Sequence, residues 1–246
     1  MKYRNVLLLF LLFACSQHQK PRLHLNQSAT VLFSFQNVTD SLKIRLYTLP
    51  VISASKFDET VFIFGAKNHK SFAIPCENPT AVYFFIANKG FTGYIQPRDT
   101  LKVFVVMKNR KQVEHIYFEG STQKICDYYL KKKQKLNYHD LRIPLNKASG
   151  DPKDILQNTN SLMRQELQFL NDSTSESELP QWFIETEKNQ IIYLCNGFKL
   201  SRESYCTRFL DIPFNPEPEY YHSMDSLQIN NPDAVFSYWY FYYLKD

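Results

Sequence analysis

No two cysteines in this chain are separated by only two or three residues, so it has neither a redox CxxC nor the paired spacing of a structural zinc site. Its six histidines are scattered, with no i, i+4 pair and no HExxH, and no metal site is legible. Two S-x-x-K matches, at Ser53 and Ser121, lack the S-x-N and K-T-G elements that a penicillin-interacting enzyme needs. No catalytic residue is assigned and no cofactor is expected, so the chain reads as a non-enzyme. A strong charge of one sign is also missing. The net charge is +5, two units lower without Lys2 and Arg4, which is too little to argue for a nucleic-acid partner. Glycine is scarce, six residues in 246, and the apolar run at 6–13 falls well short of the roughly 20 residues that cross a bilayer.

What the sequence has in excess is aromatic side chains, 16 Tyr, 20 Phe and 2 Trp. Tyrosine and phenylalanine favour half-buried strand surfaces and wide helix faces, so this richness predicts cores before it predicts binding. With 44% apolar and 22% charged residues, the chain is globular and long enough for one large or two small domains.

The opening MKYRNVLLLFLLFAC combines a charged start in Lys2 and Arg4, the apolar run at 6–13, and the small Ala14 before Cys15. Residues 1–14 therefore read as an export signal and not as structure. The Ala14-Cys15 junction resembles the bacterial lipobox. That resemblance implies acylation of Cys15, palmitate included, and anchoring to a membrane through this lipid. Residues 15–28 are polar and read as a tether. No acidic cluster follows Cys15, whereas surface-export signals in lipoproteins of this type are acidic there, so the resemblance implies a cell-envelope protein facing the periplasm.

From residue 30 to 120 the pattern is period two or short apolar runs, the signature of strands. It predicts strands at 30–35, 42–47, 60–64, 71–75, 81–87, 91–96, 101–107 and 113–118. The run 82–86 is apolar on both faces and is expected in the middle of a sheet. Eight short strands at this spacing imply an antiparallel β-sandwich or open barrel over 29–120. After Gly120 the period becomes helical, and 121–246 reads as a helical domain, giving an α+β chain. Ser121 is expected to cap a first helix with Ile125, Tyr128, Tyr129 and Leu136 inward and Lys131, Lys132, Lys133 and Lys135 wet. Asp151-Pro152 opens a second helix with Ile155, Thr159, Met163, Leu167 and Leu170 on one stripe. A polar linker at 172–178 precedes a third helix at 180–198. A short helix at 219–227 and an apolar final helix opened by Asn231-Pro232-Asp233 close the chain.

With Cys15 assigned to the lipid, Cys76, Cys126, Cys195 and Cys206 remain. An export route permits disulfides, and Cys195 with Cys206, across the expected break near Asn196-Gly197, is the best candidate pair. The simpler reading is four buried thiols acting as small hydrophobes. Ser41, Thr100 and Ser226 each follow an aspartate and precede a leucine, a pattern used for bacterial O-glycosylation and equally one of ordinary turns and caps. The lysines at 131–135 read as a solvated helix face, or as a contact with lipid headgroups.

The order of export leader, lipobox, aromatic sandwich with the turn Gln96-Pro97-Arg98-Asp99-Thr100-Leu101, and Phe118-Glu119-Gly120-Ser121 opening a helix with Tyr128-Tyr129-Leu130 carries a family resemblance. It resembles the N-terminal region of lipid-anchored, TlpA/ResA-like thioredoxin-family proteins. Arg98 stands where that family usually has glycine, and the family's redox CxxC is absent, so no catalytic role carries over. The expectation is a non-catalytic lipoprotein that binds a protein partner or an envelope ligand. The alternative is an accessory part or diverged relative of a thiol-disulfide exchange protein with a thioredoxin-like partner.

Overall fold

The structure is a computed structural model that describes residues 27–38, 41–48, 58–63, 68–87, 89–136, 151–209, 213–225, 227–234 and 237–245. Alternation builds its first half. In β1 (Ser28–Gln36) every second residue from Ala29 to Phe35 is buried, and in β2 (Leu42–Thr48) Leu42, Ile44 and Leu46 are buried between exposed Lys43 and Arg45. The remaining strands are β3 (Asp58–Ile63), β4 (His69–Pro75), β5 (Thr80–Ile86), β6 (Lys89–Ile95), β7 (Thr100–Asn109) and β8 (Gln112–Glu119). All eight expected strands are present, within two residues at each end. They form two four-stranded sheets, β4-β1-β7-β8 and β3-β2-β5-β6. Pairing is antiparallel except between β1 and β7, which run parallel, a long-range pairing that alternation cannot reveal. The two inner faces meet through aromatic rings, Phe33 on Phe84 at 5.3 Å and Phe84 on Phe118 at 6.1 Å.

The run 82–86 is central, between β2 and β6, as expected. Its outer face is not covered like its inner one. Tyr47 lies between Tyr83 and Phe85, with ring centroids at 5.4 and 6.1 Å, and Phe85 is exposed. The turn at 96–99 closes by a hydrogen bond from Asp99 N to Gln96 O at 3.2 Å, with Arg98 at φ +66°. That is the type II geometry that favours glycine at its third position. Arg98 N donates to Ser28 O and Thr30 N to Asp99 O, so β1 holds the turn in place from both sides.

The chain leaves the sandwich at Gly120, which has φ +136° and whose missing Cβ would lie 2.7 Å from Thr100 O. Only glycine fits there without strain. Then follow α1 (Gln123–Lys135), α2 (Pro152–Glu176) and α3 (Gln181–Phe209). A 3-10 turn (Pro218–Tyr220), α4 (His222–Asp225) and α5 (Tyr238–Lys245) complete the described part. Several helix expectations are corrected. Thr122, not Ser121, is the residue before α1; its hydroxyl donates to Tyr94 O at 2.5 Å, and Ser121 Oγ donates to Asp99 Oδ2. α2 continues through the expected linker to Glu176, and α3 runs past Gly197 to Phe209. The expected helix at 219–227 is split, and Asn231 to Ala234 is a turn rather than a helix start. Asp151 does cap α2, accepting from Lys153 N.

One apolar cluster crosses Gly120. It joins the inner faces of both sheets to Ile125, Cys126 and Tyr128 of α1, Phe169 and Leu170 of α2, and Phe183 and Ile191 of α3. Tyr94 of β6 is the joint, with its ring against Trp182 at 5.9 Å and Phe183 at 5.7 Å. Among the described residues no helix is long and apolar enough to cross a membrane.

Candidate functional site

The inward stripe of α1 is Ile125, Tyr128 and Lys132, because Lys132 lies one turn after Tyr128. This overturns the expectation that Lys132 is wet. It is 6% exposed, while Lys131 and Lys135 do face solvent and Lys133 lies between these extremes, donating to Gly90 O. The buried stripe of α2 is Ile155, Thr159, Leu162, Glu166, Phe169, Leu170 and Ser173, so Ile155, Thr159 and Leu170 are buried as expected, while Leu162, Glu166 and Phe169 take the inward places expected of Met163 and Leu167. Met163 and Leu167 are only partly buried, and Glu166 is 1% exposed. On α3, Glu187 sits one turn from Phe183 and one from Ile191 and is 2% exposed.

These three helices thus bring two carboxylates to one ammonium inside the protein. Lys132 Nζ donates to Glu187 Oε1 at 2.7 Å and is in ion contact with Glu166 Oε2. Glu187 is further satisfied by Tyr129 Oη on Oε2 at 2.8 Å and Tyr128 Oη on Oε1 at 3.2 Å. Glu166 has no such support, and its Oε1 has no partner among the described residues. Burial opposes the charge on Lys132, yet Glu187 and Glu166 overcome it and hold the pKa well above the ordinary lysine value. Burial raises the Glu166 carboxyl, against the pull of Lys132. Burial, then the neighbouring Glu187 charge, also raises both tyrosines, which stay protonated donors. A cluster of this kind fixes α1, α2 and α3 in one register.

Beside this cluster lies an open cleft of about 420 Å³ between α1 and α2. Phe169 forms its apolar floor, and Lys131, Lys135, Asp172 and Glu176 supply charges of both signs. Lys135 Nζ lies 5.5 Å over the Phe169 ring and 3.5 Å from Asp172 Oδ2, and Gln168 Nε2 donates to Asp172 Oδ1 at 2.7 Å.

The structure does not bring the candidate cysteine pair together. Cys195 and Cys206 lie on the single uninterrupted α3, about 16 Å apart by helical rise, far beyond disulfide reach. Cys195 packs with Leu162, and Cys206 with Ile155, Phe214, Tyr220 and Met224. All four of the cysteines after Cys15 are free and buried. Burial pushes Cys76, Cys126 and Cys195 up to about 12. Among the described residues no group of three metal-binding side chains converges.

Of the candidate modification sites, Ser41 is half-buried just before β2, and Thr100 is exposed at the start of β7. Asp99 acts there as a turn residue, its Oδ1 accepting from Thr100 N at 2.7 Å. Cys15 and Ser226, together with the leader and nearly all of the tether, lie outside the described residues. Sequence reasoning missed the ionic cluster, although Lys132, Glu166 and Glu187 each fall on an apolar helical stripe. No protein-family model matches this chain, and no curated protein is similar to it at a significant level.

Proposed function

We propose that this chain is a non-catalytic lipoprotein of the bacterial cell envelope, held by lipid on Cys15, facing the periplasm and binding a protein partner through the cleft between α1 and α2. The observation that carries the binding half is the pairing of an open cleft, apolar at Phe169 and charged with both signs at its rim, with the buried cluster that holds its walls. An apolar floor with a mixed-charge rim suits a peptide segment better than a single small ion. The buried thiols support binding over reaction, because a buried thiol with a raised pKa is a poor nucleophile.

The resemblance to TlpA/ResA-like proteins makes a separate thioredoxin-like protein the first partner to try. The anchoring half is tested by growing cells with an alkyne fatty acid. The label should appear on the protein and vanish in Cys15→Ser; equal labelling of that variant contradicts it. The binding half is tested by placing a photo-crosslinking residue at Gln134, on the cleft, or at exposed Gln112, on β8. A discrete adduct from 134 and none from 112 is expected, and the reverse pattern sinks the cleft as the site.

A further inference from the structure

Lys199 is a second buried lysine, 1% exposed, and unlike Lys132 it has no carboxylate within ion-pair distance among the described residues. Its Nζ instead donates to Ser223 Oγ, which brings α3 and the short α4 together. Ser223 is half-buried, so its hydroxyl stands between the buried amine and the surface. Asn196, one turn before Lys199, completes the group. Its Nδ2 donates to Ile192 O at 2.9 Å, which turns Oδ1 toward Ser223, and Ser223 Oγ donates to that oxygen at 2.7 Å. Tyr220 closes the other side, its ring 6.0 Å from Lys199 Nζ and its hydroxyl donating to Lys199 O at 2.9 Å. Tyr220 itself packs in an apolar cluster with Phe214 and Met224, against which Phe198 also rests.

An uncompensated buried ammonium is costly, and the amine responds by holding its proton less tightly. Burial lowers Lys199 to about 8. The titratable groups facing it are Cys195 on its own helix and Tyr220 from the 3-10 turn; Glu166 of α2 acts on Cys195 and not on Lys199. A neutral amine beside a half-buried hydroxyl is the arrangement of a base and its nucleophile.

We infer that Ser223 and Lys199 form such a pair, able to take an acyl group from an activated ester. The hydroxyl rotates from Asn196 toward the neutral amine, and the Oγ–C bond forms as the carbonyl carbon–oxygen bond to the leaving group breaks. The serine proton passes to Lys199 Nζ and from there to the departing alkoxide, so no oxidant, reductant or metal is required. The inference goes beyond the binding reading and does not rest on it; the step is a single acylation of the protein itself, with no turnover assigned, and so stands beside a non-catalytic binding role.

The test is incubation of the folded protein with p-nitrophenyl acetate, read by intact mass and peptide mapping. One acetyl group on Ser223 is expected, released by hydroxylamine as an ester, with a rate that rises as pH passes about 8. Ser223→Ala should lose this acetyl group, and Lys199→Met should slow its addition by about 100-fold or more. If Lys199→Met does not fold, the wild-type pH profile and Ser223→Ala decide. Acetylation on Lys199 or elsewhere but not Ser223, a rate flat across pH 8, or no acetylation of the folded protein overturns the inference.

Discussion

Between the two sheets the fully buried side chains include Phe33, Ile44, Phe84, Val103 and Phe118, and among the described residues no carboxylate, lysine, arginine or histidine is buried there. Between α1, α2 and α3 the buried side chains include Lys132, Glu166 and Glu187, with Lys199 further along. The sheets are held by shape and apolar area, which act at any pH; the helices are held in part by charges that must be matched. A void costs the first region most. An unmatched charge costs the second most.

The sharpest way to break this comparison is to damage each region by a similar amount. Lys132→Met leaves Glu166 and Glu187 facing one another without a cation and should cost about 3–5 kcal/mol in urea unfolding at neutral pH. Phe84→Ala, which opens a cavity among Phe33, Phe91 and Phe118, should also cost about 3–5 kcal/mol. The two losses differ in their pH dependence. That of Lys132→Met should shrink toward acid, where Glu166 is protonated more readily, and that of Phe84→Ala should stay level.

Gly120→Ala tests the joint between the regions. Its backbone strain alone should cost about 1–3 kcal/mol, with the clash against Thr100 O adding to this. Glu166→Gln should act in the opposite direction, stabilising the protein at neutral pH by about 1 kcal/mol. The sign follows from linkage. The folded-state pKa of Glu166 is raised, so its proton favours folding below the ordinary glutamate value, and that contribution is lost as pH rises through the raised one. The gain from Gln should therefore fade in acid, and a gain that persists unchanged would mean that charge is not its cause. The smallest effect belongs to Thr122→Val, which removes the hydroxyl bond to Tyr94 O and should cost about 1 kcal/mol in thermal unfolding.

The two regions were not equally legible. Strands such as β1 and β2 could be placed because an apolar residue at every second position has one explanation, a half-buried sheet. The parallel pairing of β1 with β7 could not, since register between distant strands depends on contacts that no local pattern encodes. In α1 the same habit that located Ile125 and Tyr128 misplaced Lys132, because a lysine is assigned to solvent unless its counter-charge is known. Its counter-charges come from α2 and α3, so the site is visible only once the three helices are packed. The stripe of α2 was misread in part for the same reason, with Met163 and Leu167 chosen over Glu166 while Ile155, Thr159 and Leu170 were placed correctly.

The central claim is that the helical interior carries charge and that Glu166 is the less well supported of the two carboxylates that share one ammonium. Carbon-13 titration of the glutamate side-chain carboxyls, with Glu166 assigned through Glu166→Gln, tests it most directly. The signal lost in that variant should titrate above the range of exposed glutamates in the folded protein and return to it on unfolding. A Glu166 carboxyl that titrates with the exposed glutamates in the folded state would contradict the account, because it would place the group in water and not between α1, α2 and α3.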